Sequence, residues 1–220
     1  DGEGPVVSGT GAISGVTEID LTHGPIDLDI FASDVLSGLK DIKVTITNPD
    51  SGDRRVVTQD PDGHVKIQLN QNEPIFMGSF AIEIVAKDNV GNETVITYNP
   101  IYLALQADIA KVHEDGMATY AKGEGAYLDI TTHGYADKVI IEWPTKILAE
   151  NPGLPTVIDY ASRSFYTQME KISFVVPLTA NEGERLEITV RAYKDGVMRE
   201  EKPYLEVAGN ALDDIRYRIK

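Results

Sequence analysis

The chain has 220 residues, 42% of them hydrophobic, with no cysteine and a formal net charge of −15 at pH 7. Such a length buries the core of one or two domains, and the missing thiols exclude disulfides, cysteine-ligated zinc and a thiol nucleophile. The acidic excess argues against nucleic acid or an anionic membrane as partner, and no apolar run approaches the ~20 residues of a membrane-spanning helix.

The opening "DGEGPVVSGTGAISG" has neither an initiator Met nor a basic, apolar leader. The chain is therefore expected to be a mature product or a piece of something longer. Rich in Gly and Ser, residues 1–11 read as a flexible lead-in. Alternation then takes over. "PIDLDIFAS" sets Ile26, Leu28 and Ile30 against Asp27 and Asp29, and "KDIKVTITN" does the same with Ile42, Val44 and Ile46. "HVKIQL", "SFAIEIVAKD" and "ETVITYNPIYL" follow, with "SDVLSG", "NPDSGD", "DPDG", "QNEP" and "DNVGN" between the runs. Period 2 broken by turn residues describes half-buried strands. Several such strands within ~100 residues describe a β-sandwich.

The second half repeats the plan with "AYLDITT", "KVIIEW", "ISFVVPL", "ERLEITVRAYKD" and "PYLEVAG". "GSFAIEIVAKDNVGNETVITY" aligns with "GERLEITVRAYKDGVMREEKPYLEV" at the same place in each half: a Gly, an alternating run into A-K-D or A-Y-K-D, a Gly turn, another strand. The fold is therefore expected to be all-β, two tandem immunoglobulin-like sandwiches over residues 12–104 and 105–209. Residues 210–220 are expected to be a C-terminal strand or linker, because Ile215, Tyr217 and Ile219 alternate with cations, although Asp213 and Asp214 ahead of those cations would also suit a helix.

At "VAKDNVGNE" the pattern of strand, A-x-D-x-x-G-N and strand resembles the penultimate hairpin of bacterial immunoglobulin-like domains. "FASDVLSGLKDIKVTI" resembles their earlier A-x-D-x-x-S-G-I-x-x-V segment, with Leu39 where Ile or Val is usual. The likeness covers roughly residues 26–98, and "KDGVMRE" lacks the G-N step in the second half. The resemblance implies tandem modules of Gram-positive cell-surface proteins, with a spacer or adhesion role and no catalytic residues. It implies an extracellular setting, cell-wall associated or secreted, and a protein or glycan partner at the surface. Phe80 and Leu186 stand where these domains often carry a Tyr, so no tyrosine-corner bond is expected.

Two sets of residues are candidate sites. In this topology the loops after the second strand and before the last share one end, which brings Asp34 and Ser37 to Asp88, Asn89 and Asn92. Asp34, Asp88, Asn89 and Asn92 carry the hard oxygens calcium takes. Asp and Asn equally cap turns, and no spaced calcium loop is present, so the turn reading is preferred and calcium is the one cofactor left open. Tyr160, Arg163 and Tyr166 form the best aromatic patch, able to stack on a sugar if exposed, although ordinary core and edge packing is the preferred reading of these rings. That alternative would make the chain a carbohydrate-binding accessory module of a secreted enzyme. "THGYAD" and "KDG" face the junction between sandwiches, which makes His133, Tyr135 and Asp137 interdomain contacts. His23, His64, His113 and His133 are scattered without metal-ligand spacing, and "GAISG" has the wrong order for a nucleophile elbow. The chain is expected to be a non-catalytic monomer.

Overall fold

A computed structural model describes residues 2–114, 116–160 and 165–209. The expected strand or linker over 210–220 and the candidate Arg163 lie outside the described residues.

The first sandwich packs a sheet of β1 (Val6–Ser8), β2 (Ile26–Ser33) and β5 (His64–Leu69) on a sheet of β4 (Arg54–Thr58), β3 (Leu39–Thr47), β7 (Ala81–Asp88) and β8 (Glu93–Tyr98). All pairings in these two sheets are antiparallel. Short strands β6 (Gly78–Ser79) and β9 (Ile101–Tyr102) pair beside them. The alternating residues do what their period dictates. Leu28 and Ile30 of one sheet close over Val44, Ile46, Ile82 and Ile84 of the other, all buried.

The second sandwich repeats this order. β10 (Ala104–Lys111), β11 (Gly125–His133) and β14 (Thr167–Val175) form its three-stranded sheet. β13 (Val157–Asp159), β12 (Lys138–Glu142), β16 (Thr189–Lys194) and β17 (Val197–Glu201) form the other. β15 (Arg185–Glu187) and β18 (Tyr204–Glu206) pair beside them. Two tandem immunoglobulin-like sandwiches are therefore the fold. Trp143 sits at the edge of the second core, its ring edge-on to Phe174 at 5.5 Å and its indole N–H on the Pro155 carbonyl at 2.8 Å.

Two elements differ from the sequence reading. Residues 6–8, expected within a flexible lead-in, form β1, with Val6 opposite Ser33 and Ser8 opposite Phe31. Three residues are too few to display a period, but the free edge of β2 captures them. Gly9 then turns the chain with φ 81°, and a Cβ there would lie 1.8 Å from the Asp29 carbonyl oxygen, so only glycine fits. "TKILAE" is a single helix, α1 (Thr145–Glu150), entered from Pro144 and burying only Ile147. One buried residue leaves no helical stripe to read.

In each unit we call the end bearing the β2–β3 or β11–β12 loop the upper end. The chain crosses from the lower end of the first sandwich to the upper end of the second through Leu103 alone, between β9 and β10. Consecutive residues alternate between the two cores: Ile101 and Leu103 pack into the second, Tyr102 into the first. Tyr135, on the β11–β12 loop, crosses back and is buried in the first core. Gly134 permits this. At φ 110°, a Cβ there would meet the Tyr102 carbonyl oxygen at 2.1 Å. Tyr135 itself holds φ 52°, costly for a bulky residue. His133 instead bonds Thr167 of its own sandwich at 2.8 Å.

Replacing Tyr135 with Ala removes a large buried ring and should cost about 3 kcal/mol, the low end for buried aromatics. Calorimetry should show the first sandwich melting earlier and apart from the second. An unchanged single transition would mean that the ring does not couple the two.

Candidate functional site

At the upper end of the first sandwich the structure brings together all five residues that sequence grouped there. Asp88 is the last inward-facing residue of β7 and is fully buried. Its Oδ1 accepts backbone N–H bonds from Val90 (3.0 Å), Gly91 (2.6 Å) and Asn92 (2.7 Å). Its Oδ2 accepts the Ser37 hydroxyl and the Asn92 amide, each at 2.7 Å. The Asn89 amide donates to the Ser37 carbonyl at 2.9 Å. Asp34 Oδ1 accepts N–H bonds from Leu36 (2.9 Å), Ser37 (2.7 Å) and Gly38 (3.2 Å). Burial is the largest single influence on the Asp88 carboxyl and pushes it up. The bonds from Ser37, Asn92 and Gly91 together outweigh it and hold the carboxyl at about 2. The Asp34 carboxyl is lowered chiefly by the Ser37 backbone bond.

The chemistry of this arrangement is that of a knotted pair of turns. A cation needs carboxylate lone pairs turned toward a common point. Here those lone pairs face N–H and O–H donors, which a metal would have to displace. Among the described residues no group of three or more His, Asp or Glu side chains is placed to hold a metal ion.

The aromatic patch divides. Tyr160 is 1% exposed and packed in the second core, so it presents no face to a sugar. The glycan role left open for Tyr160 needs an exposed ring, and the ring instead takes the core packing that was the preferred reading. One further step of alternation past β13 puts Tyr160 on the side of Ile158, which packs against the core. Tyr166 is half exposed, edge-on to Tyr135 at 6.3 Å, and its carbonyl accepts the Gly134 N–H at 2.7 Å. Phe165 beside it is exposed.

The most elaborate polar cluster lies at the junction, and sequence reading anticipated only part of it. Lys194, 5% exposed, is the last inward-facing residue of β16. Its ammonium lies 2.9 Å from Asp50 across the junction, and 3.4 Å and 3.5 Å from Asp137 and Asp195. Burial would lower the Lys194 pKa, but the Asp50 bond and the three carboxylate charges raise it. Asn48 holds Asp50 in place. It is buried, its Oδ1 accepting the Asp50 N–H at 2.9 Å and its amide donating to the Ile75 and Met77 carbonyls at 3.1 and 2.6 Å. The Ser79 hydroxyl bonds Asp195 across the same gap, and Arg199 pairs with Glu18 at 2.7 Å. Of the expected junction contacts, Tyr135 enters the first core, whereas Asp137 reaches only Lys194 and the Asp195 N–H of its own sandwich. Sequence places Lys194 at the junction within "KDG", but its cross-domain partner Asp50 is marked by no motif. Beside the cluster a shallow depression of about 450 Å³ is lined by Asp137, Lys138, Asp159, Tyr193 and Asp195.

No family model matches the chain. No curated protein matches it. Solved structures similar to it include a tetra-tandem repeat from the extending region of a large adhesion protein, at 17% identity and TM-score 0.38. That match covers 93% of this chain, which spans about half (49%) of the other. A two-domain fibronectin type III segment of chicken tenascin matches at 15% identity and TM-score 0.45, over 93% and 99% of the two chains. A putative membrane-anchored protein of Corynebacterium diphtheriae matches at 13% identity and TM-score 0.30, over 94% and 59%. The class assigned here, a tandem pair of immunoglobulin-like sandwiches, rests on strand order and register.

The Asp88 knot carries a pH signature. Its folded pKa lies below the ordinary carboxylate value, so its stabilisation is full above about 3.9 and is lost as pH falls toward about 2. Asp88→Asn turns an amide toward the Ser37 and Asn92 donors and should lower the thermal midpoint at neutral pH by roughly 5 °C. It should also flatten the acid limb of a urea stability–pH profile. Parallel profiles for both chains would show that Asp88 is not what titrates.

Proposed function

We propose that the protein is a non-catalytic extracellular module, a stiff two-bead spacer that presents a neighbouring domain or a binding surface in adhesion to a protein of a host or matrix. The observation that carries this reading is the junction. A one-residue link, two cores that exchange Tyr102, Tyr135, Ile101 and Leu103, and a buried Lys194 held by carboxylates of both sandwiches resist bending. A spacer needs that stiffness, whereas a binding module joined by a loose tether does not. The surrounding chemistry agrees. An acidic, thiol-free chain of strong sheet-formers suits an exposed setting, and carboxylates knotted into turns are not arranged as an acid–base pair. The alternative, a carbohydrate-binding accessory module, keeps Phe165 and Tyr166 as the exposed rings of its patch once Tyr160 is withdrawn into the core.

The absence of native cysteine makes the test direct. Spin labels on cysteines introduced at the exposed Val95 and Met169 should give a narrow interdomain distance distribution. Lys194→Ala, which leaves Asp50, Asp137 and Asp195 facing one another, should broaden it severalfold. A broad distribution in the otherwise native chain would defeat the spacer reading.

A further inference from the structure

The junction shows what an upper end does when another sandwich sits on it. On the β11–β12 loop, Tyr135 and Ala136 are 7% and 3% exposed, Tyr135 in the neighbour's core and Ala136 in its own. The equivalent β2–β3 loop of the first sandwich carries Val35 and Leu36, which are 96% and 81% exposed. Val90, on the adjoining β7–β8 loop, is exposed beside them. Solvated loops rarely display three aliphatic side chains at one tip, and this tip is held rigid by the Asp34 and Asp88 bonds. Its polar groups are satisfied internally, so what remains for a partner is apolar.

The receiving half is carried by the same chain. The lower end of the first sandwich, which accepts Tyr135, is built from the β3–β4 connection and the segment after β5. The corresponding parts of the second sandwich are α1 and the segment after β14. They expose Leu178 at 66%, with Val175 and Leu148 nearby. This end is rigid too. Glu150 accepts the N–H groups of Leu178 and Thr179 at 2.8 and 3.0 Å, and the Asn151 amide brackets the Val175 backbone at 2.8 and 2.9 Å. The carboxylates of Glu150 and Glu184 are occupied by those N–H groups and by Lys146.

We propose that the Val35–Leu36–Val90 tip is a docking surface for a second copy of this chain, seated on the lower end of that copy's second sandwich and continuing the head-to-tail stacking seen inside the molecule. The inference replaces the monomer expected from sequence and does not depend on the adhesive role. Because the two surfaces differ, the contact is heterologous and propagates into open chains rather than closing as a pair. Because each copy carries −15, repulsion opposes an apolar contact, and added salt strengthens it.

Sedimentation velocity from micromolar to millimolar protein tests this. The native chain should sediment progressively faster with concentration, and more so at high salt. V35D/L36D and L178D should each weaken association about tenfold or more, with unchanged melting because both sites are solvated. The deciding sample is their equimolar mixture, in which each variant keeps one intact end and only dimers should form. A native chain that stays monomeric at every concentration overturns the proposal. So does a mixture no more associated than its parts, or an L178D chain that still self-associates, which would mark a tip-to-tip contact.

Discussion

Everything at the centre of this molecule depends on one constraint: a single residue, Leu103, separates the last strand of one sandwich from the first strand of the next. A link that short cannot hold two barrel-like units apart, so their ends must be complementary or clash. The alternation of a β-strand resolves this by sending Ile101 and Leu103 one way and Tyr102 the other, so the strand joining the domains belongs to both cores. Tyr135 answers Tyr102 from the opposite side, with Gly134 removing the Cβ that would block the approach. A flexible tether would have left all of these groups solvated.

A second constraint follows from the sandwich itself. β7 and β16 each turn alternate residues inward: Ile82, Ile84 and Ala86 in one, Val190 and Ala192 in the other. Each runs out at its upper end on a polar residue that is still buried, Asp88 and Lys194. A buried charge without partners is too costly to persist. Asp88 meets the requirement locally by folding its own loop into a cage of N–H donors. Lys194 has only a two-residue turn beyond it and meets the requirement across the junction, at Asp50. The same position in one fold thus yields a closed tip in one unit and an interdomain lock in the other.

This contrast explains what was legible in the sequence. Period 2 gave the strands and their faces because burial on one side of a sheet imposes it. The sharing of one end by the two loops is enough to place Ser37 and Asn89 beside Asp88. The alignment of A-K-D with A-Y-K-D paired Asp88 with Asp195, whereas inward-facing position pairs it with Lys194. One-letter likeness registered the turn and missed the face. β1 was hidden because three residues hold no period. For Tyr160 composition left core packing and an exposed patch both open, although the alternation of β13 carried one residue further turns it inward with Ile158. The partner of Lys194 was out of reach in principle, since a contact 144 residues away in sequence leaves no local pattern.

The division between scaffold and ends also bears on where function resides. The interior of each sandwich is apolar and its strand order repeats, so it has little capacity to tell one partner from another. The units differ most tellingly at the upper loops: a solvated Val35 and Leu36 over a fully hydrogen-bonded carboxylate in one, a buried Tyr135 beside a buried ammonium in the other. Loops on a rigid frame are where recognition can vary without disturbing the fold. In this chain one such set of loops is already committed to a neighbouring sandwich. The other is held in the same orientation, with its polar groups satisfied and its apolar groups turned to water, which is the state of an end that can still recruit a partner.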